Sequence, residues 1–210
     1  MIALKKSHEI AAVNVRPRIA FLTGQSDRDR YALSPAQRAT LDAIAVHADG
    51  VHLDPHNFPW PDDTPPWRPV PLLRASFANG LQYLGARRGV LHGLSSAQGD
   101  MARGQLLAAP RTLLLIGSCG LSLLDALIAP FDTTQRSRLR VVAYGAVASR
   151  WPHAIEGLQL RGDRDRIAAW LGPGDGPAPH TLACGHMDYL DHDAVISAAR
   201  GQLAWLRGET

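Results

Sequence analysis

Thr112-Leu113-Leu114-Leu115-Ile116-Gly117-Ser118-Cys119-Gly120-Leu121-Ser122-Leu123-Leu124-Asp125-Ala126-Leu127 decides the fold. Its first five residues are a short, continuous apolar run, the pattern of a strand buried on both faces. Gly117, Ser118, Cys119 and Gly120 are small and read as a tight turn. From Gly120 onward the chain reads as a helix. A side chain at the apex of such a turn stands over the carboxyl end of the sheet, at a helix N-terminus. This spacing places Cys119 at the apex.

The same alternation extends in both directions. Residues 1–16 read as a polar lead-in, with one short strand over 10–15. A strand is predicted over 18–24. Ser34-Pro35 is a helix start, with Ser as N-cap and Pro at the first helical position, and the helix runs to about Val46. A second strand is expected over 50–53. Residues 55–71, rich in Pro and Trp, are expected to be an irregular loop long enough to be functional. Helical patterns follow over 72–86 and 95–108. Further strands are predicted over 139–145, 157–162 and 180–183, a Gly/Pro loop over 172–179, and a terminal amphipathic helix over 193–207. Short apolar strands alternating with helices predict a single α/β domain over 1–210. Its expected form is a three-layer α/β/α sandwich with a mostly parallel central sheet. Ligands bind beyond the carboxyl ends of such strands. Gly24, Cys119, Tyr144, Asp165 and His186 all fall at or just past them.

Composition narrows the function classes. A chain of 210 residues, 46% hydrophobic and 20% charged, buries a sizeable core without a metal or disulfide staple. No apolar run reaches the roughly 18 residues of a membrane span. Lys5 and Lys6 precede no apolar segment, so no secretory signal is expected and the predicted location is cytoplasmic. Cys119 and Cys184 are accordingly expected as reduced thiols. The formal net charge is +3, and apart from Lys5 and Lys6 arginine supplies it. Small arginine clusters at Arg136, Arg138, Arg140 and at Arg161, Arg164, Arg166 read either as solvated surface or as a docking face for an acidic partner. No basic run with interleaved aromatics supports nucleic-acid binding.

Three segments carry chemistry in order: the turn at Cys119, Gly162-Asp163-Arg164-Asp165 after a second apolar run, and Cys184-Gly185-His186 after a third. Nucleophile, acid and histidine in this chain order resemble the α/β-hydrolase superfamily, in a small form without a lid domain. The resemblance covers about 18–207. It implies a strand-end acid three residues after the glycine, hence Asp165, with Asp163 as the alternative. It implies His186 as the base. The turn departs from Gly-x-Ser-x-Gly in holding Cys at the nucleophile position, as in the dienelactone-hydrolase and polyhydroxyalkanoate-synthase branches, and Leu121 in place of the last glycine. Ser118 and Ser122 are the other hydroxyl candidates. By family geometry the Gly120 backbone N–H is one oxyanion donor, and Gln25 supplies the second.

These residues imply a Cys119–His186–Asp165 triad that forms an acyl-enzyme on an ester or thioester, as a thioesterase or acyltransferase. The absence of a cap between Gly145 and Gly157 implies an open site, suited to an acyl chain on a carrier protein. Two rival readings stay open: a small ester or lactone hydrolase of the dienelactone type, and a hydrolase-fold binding subunit without catalysis. The Pro/Trp loop, with Phe58, Trp60 and Trp67, reads as either packing or the wall of an acyl pocket. No metal or cofactor is expected. His52-Leu53-Asp54-Pro55-His56 and the 186–192 segment lack zinc-site spacing, and neither Gly117–Gly120 nor Gly24-Gln25-Ser26 has a phosphate or dinucleotide fingerprint.

Overall fold

In the computed structural model, which describes residues 16–24, 31–60, 66–69, 85 and 94–209, Thr112–Gly117 is a strand buried along its whole length. Its side chains alternate between faces, as a pleat demands. Leu113 and Leu115 enter one apolar cluster, Leu114 and Ile116 the other. Its neighbours repeat the pattern: Ile19 and Phe21 join Leu113, whereas Ala20 and Leu22 join Leu114. A run this apolar is stable only when both faces are covered, and helices cover both.

Among the described residues, the strands are β1 (Arg18–Thr23), β2 (His52–Asn57), β3 (Thr112–Gly117), β4 (Leu139–Tyr144), β5 (Glu156–Gly162) and β6 (His180–Leu182). They form one sheet in the order β2-β1-β3-β4-β5-β6, and each of its ladders is parallel. The helices are α1 (Pro35–Ala45), α2 (Ser96–Ala108), α3 (Gly120–Leu127), α4 (Thr133–Arg136), α5 (Arg166–Leu171), α6 (Asp193–Arg200) and α7 (Leu203–Arg207). Leu106 of α2 and Leu121, Leu124 and Leu127 of α3 pack on one face. Leu41 and Ile44 of α1, Val195 of α6 and Trp205 of α7 pack on the other. This is an α/β fold, and its sheet is parallel throughout.

Capping boxes start α1 at Ser34 and α2 at Ser95, each closed by a glutamine three residues on. Three expectations change. Pro55 does not begin the irregular segment: β2 continues through it to Asn57. Proline, which has no N–H, is tolerated there because β2 is an edge strand and its register with β1 shifts between Ile19 and Phe21. The terminal helix is two helices, broken at Gly201 and Gln202. The short helices α4 and α5 were not expected. The strand over 10–15 lies outside the described residues, and of the helix over 72–86 only Gly85 is described, in helical conformation.

The chain passes from β1 outward to β2, then returns to the other side of β1 as β3. Strand order therefore reverses between β1 and β3, the switch point beyond whose carboxyl ends ligands bind in sheets of this kind. Gly24 and the 117–120 turn follow the two strands that flank this point. Buried Asn57 ties down the end of β1: its Oδ1 accepts from the Thr23 backbone N–H at 2.9 Å and its amide donates to the Thr23 carbonyl at 3.2 Å.

Candidate active site

The turn after β3 has its apex one residue earlier than the sequence implies. Ser118 carries a φ of 51°, the left-handed region that non-glycine residues occupy under constraint. Cys119 is already the N-cap of α3, at φ −73°. The flanking glycines explain the shape. A Cβ on Gly120 would meet the Leu22 carbonyl oxygen of β1 at 2.1 Å, and one on Gly117 would meet the Tyr144 ring at 2.8 Å. The glycine that lets helix and strand approach is thus two residues after Ser118, and Leu121 is a core residue.

Exposure follows the turn. Ser118 is partly exposed. Cys119 is 1% exposed, and burial pushes its thiol up to about 12, outweighing a backbone hydrogen bond that favours the thiolate. Desolvation sets the sign, against the lowering that a helix N-terminus gives an exposed thiol. Cys119 is thus a packed side chain, without the lowered pKa of an activated thiol. Ser122 is buried, and its hydroxyl donates to the Val147 carbonyl at 3.3 Å. Neither Cys119 nor Cys184 is in a disulfide.

The acid and the histidine do meet. After β5 the chain turns, with the Asp165 N–H bonded to the Gly162 carbonyl, and Asp165 becomes the N-cap of α5. Its Oδ1 accepts from the Ala168 backbone N–H at 2.9 Å. Its Oδ2 lies 2.9 Å from His186 Nδ1 and accepts from the Tyr189 hydroxyl at 2.7 Å. Burial by itself raises this carboxyl. Hydrogen bonds from Ala168, Tyr189 and His186, together with the His186 charge, outweigh it and hold the group below its usual range. Asp163, by contrast, is exposed beside Arg164 at 3.7 Å. His186 is held by a turn in which the Gly185 N–H donates to Asp188 Oδ2 at 2.9 Å. With Nδ1 on the carboxylate, Nε2 is the nitrogen left to exchange a proton.

Tyr189, in a 3₁₀ turn over Tyr189–Asp191, was missed by the sequence reading. Its hydroxyl accepts from the Gly162 N–H at 2.7 Å while donating to Asp165. Burial and the neighbouring carboxylate push its phenol up, so it stays a donor. Gly145, at φ 53°, makes the space: a Cβ there would meet the Tyr189 ring at 2.6 Å and Asp165 Oδ2 at 3.2 Å. The Tyr144 and Tyr189 rings pack with centroids 5.8 Å apart. Contact therefore runs from Gly117 through Tyr144 and Tyr189 to Asp165. No sequence signal marks Tyr189 beyond its position three residues after the histidine.

Among the described residues the Ser118 hydroxyl makes no hydrogen bond, whereas the Ser118 carbonyl accepts from the Val147 N–H at 2.9 Å. Gln25 lies outside the described residues. Phe58 and Trp60 are buried in the core, and Trp67 is exposed. Asp54 of the 52–56 segment is paired with Arg18. Two arginines of the first cluster are engaged: Arg136 donates to the carbonyls of Ile128, Phe131 and His153, and Arg140 bonds Gln202 and Glu156. No helix of the described residues is long and apolar enough to cross a membrane. No known family model matches the chain, and no curated protein matches it.

Proposed function

We propose that this chain is a lidless α/β-hydrolase that cleaves or transfers an acyl group, held as an ester or thioester, through an acyl-enzyme on Ser118. The carrying observation is the Asp165–His186 pair, held beyond the carboxyl ends of β5 and β6, the end of the parallel sheet at which β3 leads into strained Ser118. The strand order supports it, because the acid follows β5 and the histidine follows β6, two and three strands beyond the turn after β3.

In this reading Ser118 Oγ attacks the acyl carbon as His186 Nε2 takes the hydroxyl proton. Asp165 holds the imidazole tautomer and stabilises its charged form. The oxyanion donor shifts with the nucleophile, from Gly120 to the Cys119 backbone N–H, and Gln25 remains the second candidate. The leaving oxygen or sulfur takes the proton from His186, giving the acyl-Ser118 ester. Water then attacks with His186 as base, releasing the acid and restoring Ser118; another acceptor in place of water gives transfer.

Incubation of the wild type, Ser118→Ala and Cys119→Ala with acyl thioesters, nitrophenyl esters and small lactones, followed by intact mass measurement, tests this. An acyl adduct on the wild type and Cys119→Ala but not on Ser118→Ala is the expected result. An adduct that survives in Ser118→Ala overturns it. A binding subunit without catalysis is the second reading, favoured by the missing Ser118–His186 hydrogen bond. It predicts no adduct and no turnover on any of these compounds.

A further inference from the structure

Among the described residues seven large apolar side chains are exposed, and four of them lie on the two segments that supply Asp165 and His186. Ile167 is 46%, Trp170 84% and Leu171 48% exposed, all on α5, which Asp165 caps. Met187, beside His186, is 72% exposed. Ile167, Trp170 and Leu171 stand at i, i+3 and i+4 and form one stripe. Only Ala168 of α5 is buried. A helix that exposes its large apolar side chains and buries one alanine is poorly explained by packing.

We infer that α5 and Met187 form a surface that lies on an anionic lipid interface. The charge around the stripe fits: α5 has no acidic residue, and Arg166 at its start makes no ion pair among the described residues. The exposed Arg164 side chain donates through Nη2 to the Ala183 carbonyl at 3.0 Å and holds Nε 3.7 Å from Asp163, which leaves Nη1 as its outward nitrogen. Exposed Trp with Ile and Leu, bordered by Arg, is the composition of a segment that sits at headgroup level. Anionic headgroups attract the arginines. Size argues against a second copy: one six-residue helix and a methionine fall far short of the roughly 800 Å² per partner that a stable dimer needs. Interfacial insertion needs no matching surface. Resting on the acyl-hydrolase reading, this surface would set the site at the phase where acyl chains reside.

Co-sedimentation of the full chain with vesicles of phosphatidylcholine alone, or mixed with phosphatidylglycerol, tests the inference. The wild type is expected to bind the mixed vesicles, less at high salt, with a blue shift in tryptophan emission. Trp170→Ser should weaken binding at least roughly tenfold. Trp170→Phe should keep most of the binding and lose the shift. No binding by the wild type, equal binding by Trp170→Ser, or a concentration-dependent dimer abolished by Trp170→Ser would each overturn it. Ser118→Ala should bind as the wild type does, so loss of the acyl-enzyme reading and loss of lipid binding are read separately.

Discussion

Asp165 and His186 leave different strands and meet through an Nδ1···Oδ2 contact of 2.9 Å, on the same oxygen that accepts the Tyr189 hydroxyl. That oxygen is fully buried, and the other oxygen caps α5. The carboxylate is thus held by three neighbouring elements at once: the first turn of α5, the loop after β6 and the 3₁₀ turn. An anchor of this kind keeps an imidazole in one tautomer and one orientation.

Cys119 and Ser118 should behave oppositely. A thiol near 12 leaves roughly one part in 10⁵ as thiolate at pH 7. Native protein should therefore resist iodoacetamide at Cys119, with labelling appearing only on unfolding, as followed by peptide mass. Cys119→Ala should retain turnover within a few-fold, whereas Ser118→Ala should lose at least about 10³-fold in kcat.

Asp165→Asn should lower kcat by about 10⁴-fold with little change in KM, because the amide would favour the wrong imidazole tautomer. Stability carries a second signature. The Asp165 carboxyl is held below its usual value, so its contribution is complete above about pH 5 and is lost as pH falls through the folded value. Urea midpoints of the wild type should fall more steeply below that pH than those of Asp165→Asn.

Tyr189→Phe removes a donor to Asp165 and strands the buried Gly162 N–H. Loss of a buried partner costs about 1–3 kcal/mol. The folded Asp165 carboxyl should also rise, moving the acid limb of the stability profile to higher pH. An unchanged acid limb alongside lower stability would confine Tyr189 to a structural role.

Gly120→Ala should destabilise the fold by about 1–3 kcal/mol or more, since its Cβ would meet the Leu22 carbonyl, which belongs to a central strand and has nowhere to go. Ala at exposed Gly174, where a Cβ meets nothing within 4 Å, is the control and should change stability little. Urea midpoints at constant m-value measure both.

The apolar runs at 18–23, 112–117 and 139–144, broken by Gly, Pro and capping serines, determined the parallel sheet by themselves. A continuous hydrophobic run has one stable environment, a strand covered on both faces. The order of turn, acid and histidine was equally legible, because each followed such a run. Tertiary structure alone decided which residue stands at the apex. Ser118 and Cys119 are both small and adjacent, and only the closeness of Leu22 to Gly120 sets the turn's register, which lifts Ser118 and buries the thiol. It joined Asp165, the acid already preferred to Asp163 in the sequence, to His186 by burying the first carboxylate and exposing the second. It alone recruited Tyr189, because a hydrogen bond across 24 residues leaves no periodic trace in a sequence.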